Sequence, residues 1–100
     1  MERKDKLPKI LDTLRQLLPT LAQEYGVETL GVFGSYVRAE QRPESDLDLL
    51  VSFSETPGLL KFIELENYLS DSLGVKVDLV MADALKPTIG KRILREVIHI

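Results

Sequence analysis

One hundred residues, 44% hydrophobic and 29% charged, suffice for one ordinary globular domain and leave no room for a second. A net charge of −3 and a pI near 5.1 argue against general attraction to a phosphate backbone, so direct nucleic-acid binding is not expected. The absence of cysteine excludes disulfides and thiolate metal sites, and the charged opening MERKDKLPKI resembles neither a signal peptide nor a membrane span; a cytoplasmic protein without membrane association is expected.

From Leu7 to Tyr25 the apolar residues recur every three or four positions, which predicts a helix with one buried face. Pro8 suits its first turn, whereas Pro19 should kink it or split it. Gly26 ends the segment, and Thr29–Phe33 is a first strand that stops at Gly34. A short helical turn from Ser35 to about Glu40 and a loop at Arg42-Pro43-Glu44-Ser45 follow.

The second strand begins near Asp46. Side chains alternate along it, with Leu47, Leu49 and Val51 on one face and Asp46, Asp48 and Leu50 on the other; its later part is apolar on both faces, as in a covered central strand. Pro57-Gly58 precedes a second long helix carrying Leu59, Phe62, Ile63, Leu65, Leu69 and Leu73, closed by Gly74. Val75–Met81 is the third strand. After a cap at Asp83, Ile89, Ile93, Leu94 and Val97 mark a last helix over Pro87–Val97. The order of elements predicts an α/β (α+β) sandwich, a small sheet flanked by helices.

Within this frame lies GSYVRAEQRPESDLD, a Gly-Ser pair, ten residues, then Asp46 and Asp48 on one strand face. Residues two apart in a strand have Cα atoms about 6.5–7 Å apart, so both carboxylates can serve one site. Two divalent ions about 3.5–4 Å apart fit between such groups, and Mg²⁺ takes one or two carboxylates plus substrate phosphates. Asp78, flanked by Val77 and Leu79, is costly in an interior strand unless paired or metal-bound. On a neighbouring strand it would join the other two, and their mutual repulsion calls for a cation. A Lys76–Asp78 edge pair is the competing explanation.

Gly34 and Ser35 sit where a strand turns towards a helix. The missing Cβ admits a phosphate, and the first N–H groups with the serine hydroxyl can bind its oxygens. Arg38 can reach the same phosphates, or can simply be a solvated arginine. His99 has no partners for a metal site or a triad. Lys86, Lys91, Arg92 and Arg95 make the last helix basic, which reads first as a solvated face.

GSYVRAEQRPESDLDLLV with the downstream VDLV resembles the polymerase-β-type nucleotidyltransferases, and the whole chain resembles their minimal branch, the antitoxin half of HEPN/minimal-nucleotidyltransferase toxin–antitoxin pairs. The resemblance implies a small mixed sheet flanked by helices. It implies transfer of AMP from ATP to a tyrosine of a HEPN ribonuclease toxin, with which the chain would form a hetero-oligomer. By the same resemblance Asp46 and Asp48 hold two Mg²⁺ ions, Asp78 binds metal or activates the acceptor hydroxyl, and Gly34 and Ser35 hold the triphosphate. Relatives often have Ala-Arg-Gly where this chain has Val37-Arg38-Ala39. Arg92 and His99 have the separation of a HEPN motif without its tyrosine, so only the nucleotidyltransferase half is expected, with the acceptor surface supplied from elsewhere. Two alternatives compete: an idle module that silences a toxin by occlusion, and an enzyme that adenylylates a small molecule with help from a second subunit.

Overall fold

In the computed structural model, which describes residues 6–100, helix α1 spans Leu7–Tyr25 and buries Ile10, Leu14 and Leu21. The charged opening at residues 1–5 lies outside the described residues. Gly26, at φ 70°, caps α1 by donating its N–H to the Ala22 carbonyl at 3.2 Å. The expected split at Pro19 does not occur. Pro19 lies on the exposed face, where the Arg15 carbonyl left without its helical partner can be solvated.

Strand β1 (Val27–Phe33) starts two residues earlier than the sequence predicts, and β2 spans Leu47–Phe53. Helix α2 (Leu59–Leu73) ends at Gly74, at φ 71°, and leads to β3 (Val77–Met81). Val75 and Lys76 fall outside β3, although the Lys76 carbonyl accepts the Leu47 N–H at 2.8 Å. Asp83 sits in a 3₁₀ turn, Ala82–Ala84, and the cap of helix α3 (Pro87–Glu96) is Lys86 instead. A two-residue strand β4, Ile98–His99, follows; it is too short for any periodicity to announce.

The sheet order is β3-β2-β1-β4, with β2 and β3 parallel and the other pairs antiparallel. The parallel pair requires a crossover, and α2 supplies it. Register sets the faces: Leu47 lies opposite Val77, Leu49 opposite Val32 and Leu79, and Val51 opposite Leu30. This face packs on Ile10, Leu14 and Leu21 of α1 and on Leu65 and Leu69 of α2 to form the main core. Each leucine buried completely there contributes about 1.5–3 kcal/mol of transfer free energy.

The opposite face carries Gly31, Phe33, Asp48, Leu50 and Asp78, and α3 lies against part of it. Only Ile93 of α3 is buried; Ile89 and Leu94, expected on an apolar face, are 50% and 61% exposed. The tail of α3 is fixed by β4. A Cβ on Gly31 would stand 2.6 Å from Val97 Cγ2, so glycine there lets the C-terminal segment close onto β1.

Candidate active site

The central strand delivers the acidic motif. Asp48 lies opposite Phe33 on β1 and opposite Asp78 on β3, so Asp48 and Asp78 are side by side on one face. Asp46 precedes the strand and is half-buried, while Asp78 is exposed. Burial pushes the Asp48 carboxyl up to about 6, and the charges of Asp78 and Asp46 push in the same direction; Arg38 opposes them. Burial and the Asp46 charge also raise the pKa of Tyr36, whose side chain belongs to the hydrophobic core.

Gly34 ends β1 at φ 85°, in the left-handed region. A Cβ there would collide with the carboxylate of Asp48. The need for glycine is therefore first a need to seat Asp48, which is a different reason from phosphate approach. The segment after it is a single helical turn, as predicted from Ser35, and does not extend into a helix: the N–H groups of Val37 and Arg38 donate to the Gly34 carbonyl at 3.0 and 3.2 Å, and Glu40 N–H donates to Ser35 O at 2.9 Å. The last bond is of the kind that closes a helix, and it puts Ala39 at φ 59°. The turn's own hydrogen bonds do not use the amides of Ser35 and Tyr36.

Arg38 is held by two glutamates. Its Nε donates to Glu40 Oε1 at 3.0 Å, and its Nη1 donates to both carboxylate oxygens of Glu96 at 3.0 Å. The sequence suggests an arginine free to meet phosphates or solvent; the structure commits two of its three nitrogens. Glu96 Oε2 also accepts the Gly34 N–H at 2.7 Å. Partial burial would raise the Glu96 pKa, but the Gly34 N–H and the Arg38 guanidinium hold it below the usual carboxylate value.

These groups line a depression of about 250 Å³ formed by Phe33, Gly34, Arg38, Asp48, Arg92 and Glu96 with Ile89 and Ile93. A larger one, about 730 Å³, borders Asp46 on the other side and includes Tyr36, Gln41, Arg42 and Lys76. Asp48 thus lies within electrostatic reach of Asp46 and Asp78 and directly beside Gly34, with Ser35 on the adjoining turn, while Asp46 and Asp48 border different depressions. Arg92, read as part of a solvated basic face, reaches the smaller depression. No group of three or more Asp, Glu, His or Cys side chains among the described residues is spaced to hold a metal ion by itself, so the three aspartates do not form a closed three-ligand cage. Mg²⁺ needs no such group where a pair of carboxylates is joined by substrate phosphates to complete its shell.

A nucleotidyltransferase domain model matches residues 14–100. The chain belongs to the nucleotidyltransferase family. It is 56% identical over 80 residues to the protein adenylyltransferase MntA of Thermococcus cleftensis, covering 80% of this chain and 81% of that protein. Among solved structures, a protein provisionally described as a minimal nucleotidyltransferase superposes with a TM-score of 0.75 at 40% identity, covering 90% of this chain and 92% of that one. An MNT antitoxin in complex with the tri-AMPylated HEPN toxin of Shewanella oneidensis matches with a TM-score of 0.66 and 19% identity, covering 90% of this chain and 70% of the other; at that identity it speaks for the fold alone. The mixed four-stranded sheet with its three helices is the fold of a minimal nucleotidyltransferase. No helix among the described residues of this nucleotidyltransferase is long and apolar enough to cross a membrane.

Proposed function

We propose that this nucleotidyltransferase transfers AMP from ATP to a tyrosine of a HEPN-type toxin and thereby acts as its antitoxin. The observation that carries the reading is the acidic face beside the Gly34 turn, where Asp48 stands against Asp46 and Asp78 with its pKa raised to about 6. That charge is uncomfortable without a cation, which is the situation a Mg²⁺–triphosphate complex relieves. The relative named protein adenylyltransferase MntA supports the choice of AMP and of a protein acceptor.

Asp46 and Asp48 would hold two Mg²⁺ ions together with the phosphates. Magnesium, when bound, supplies charge neutralisation at the phosphorus under attack. The Ser35 hydroxyl and the Ser35 and Tyr36 amides bind the β- and γ-phosphate oxygens, and the turn that begins at Gly34 sets their direction. The larger depression beside Asp46 admits the acceptor segment. In the transfer the tyrosine oxygen bonds to the α-phosphorus and the bond to the α–β bridging oxygen breaks. Pyrophosphate leaves with that electron pair, and exposed Asp78 takes the phenolic proton. The partner should acquire label from ATP labelled at the α-phosphate and none from ATP labelled at the γ-phosphate; γ-label on the partner would refute nucleotidyl transfer.

A further inference from the structure

We infer that Glu96 is a positioning residue of the nucleotide site: it fixes the Gly34–Arg38 turn and aims the Arg38 guanidinium, leaving Nη2 as the end of Arg38 that can meet phosphate. The inference rests on the nucleotidyl transfer proposed above.

The contact is delivered by the backbone of the fold. Glu96 is the last residue of α3, and the Val97 N–H donates to the Ile93 carbonyl at 2.9 Å. Beyond it Ile98 and His99 pair with Val32 and Gly31, and the Ile100 N–H donates to the Leu30 carbonyl at 2.9 Å. With the following residues locked to the edge of β1, the Glu96 carboxylate is held beside the first residue after β1, which is Gly34. A mobile surface pair would lack this constraint.

One carboxylate serves two parts of the site. Oε2 accepts the Gly34 N–H at 2.7 Å, and both oxygens accept from Arg38 Nη1 at 3.0 Å. The Glu96 side chain is only 25% exposed, which makes these charge-assisted bonds stronger than at an open surface. Glu40 holds Nε on the other edge at 3.0 Å, so the guanidinium plane is gripped from two sides. The arrangement also brings a further negative charge towards Asp48, whose pKa Glu96 helps to raise. A site that must receive a triphosphate gains from such a carboxylate only if the order it imposes outweighs its repulsion.

The opposite arrangement would make Glu96 a competitor, an internal anion seated on donors that phosphate needs. The two predict opposite signs. The experiment is calorimetry of a non-hydrolysable ATP analogue with Mg²⁺ on the wild type, Glu96→Gln, Arg38→Ala and the double variant, with folding checked by circular dichroism. Glu96→Gln keeps size and an acceptor for Gly34 but loses the charge, so it carries the test even if Glu96→Ala fails to fold. As a positioning residue, Glu96→Gln weakens nucleotide binding by about tenfold, the scale of a charge-assisted hydrogen bond, and adds little further loss in the Arg38→Ala background. A residue that only stabilises the fold would lower the melting temperature and leave the affinity of the folded protein and its coupling to Arg38 unmoved. Unchanged affinity, additivity with Arg38→Ala, or tighter binding would each overturn the inference. If the wild type binds no Mg²⁺–nucleotide, the transfer reading itself fails and this inference falls with it.

Discussion

Replacing Gly34 with alanine tests how the turn and the acidic strand depend on each other. The added Cβ meets two penalties: a left-handed backbone at φ 85°, and the Asp48 carboxylate in its path. Gly74 is an internal control, because at φ 71° it has a comparable backbone and a Cβ added there would meet nothing within 4 Å. Gly74→Ala should therefore cost about 0.5–1 kcal/mol, the left-handed penalty less the chain entropy that alanine removes from the unfolded state. Gly34→Ala should cost that plus about 0.5–1.5 kcal/mol for pushing Asp48 off its rotamer, so about 1–2.5 kcal/mol in all. Urea denaturation of both variants measures the difference, and nucleotidyl transfer should be lost only in Gly34→Ala. Equal destabilisation with equal retained transfer would refute the claim that Gly34 is there to seat Asp48.

Other outcomes follow from the same geometry. Asp48 has a folded pKa raised from 3.8 to about 6, so the native state binds more protons than the unfolded chain between those values and loses stability as pH rises through that window. Metal-free melting temperature should fall from about pH 4 to about pH 6.5, and Asp48→Asn should flatten that fall; a melting temperature that rises over the window in the wild type but not in the variant would contradict it. Ala39→Gly relieves a non-glycine residue at φ 59° and, after the entropy glycine loses, should stabilise by about 0.5–1 kcal/mol, read as a higher urea midpoint; a lower midpoint would show that the turn is not strained. Leu49→Ala empties a fully buried position between β1 and β3 and should cost about 2–5 kcal/mol by the same method, whereas less than about 1 kcal/mol would mean a core that collapses to fill the space.

Helices α1 and α2 are legible in the sequence because apolar spacing and a closing glycine agree at each. The acidic strand is legible because alternation places Asp48 on the face opposite Leu47 and Leu49, whereas Asp46 precedes β2 and is not set by its pleat. The continuity of α1 through Pro19 is not, because proline's cost depends on whether the orphaned carbonyl meets water, and burial is a tertiary property. Strand β4 pairs through two residues only and carries no period. Glu96 escapes notice because its partners Gly34 and Arg38 are 62 and 58 residues away, and the basic residues around it suggest a solvated face. One signal is available: Glu96 falls three and seven residues after Ile93 and Ile89, so a carboxylate continues the stripe that faces the sheet. The single helical turn after Gly34 is legible too, but its left-handed close at Ala39 is not, because an alanine does not announce a φ of 59°.

The central claim, that the acidic face transfers AMP to a protein partner, is tested most directly by intact mass spectrometry of a cognate HEPN partner after incubation with ATP, Mg²⁺ and either the wild type or Asp46→Asn. The account predicts a partner heavier by whole AMP units with the wild type, located on tyrosine by fragmentation, and an unmodified partner with a folded Asp46→Asn. Equal silencing of the partner by both proteins with no change in mass would contradict it and leave occlusion as the mode of action.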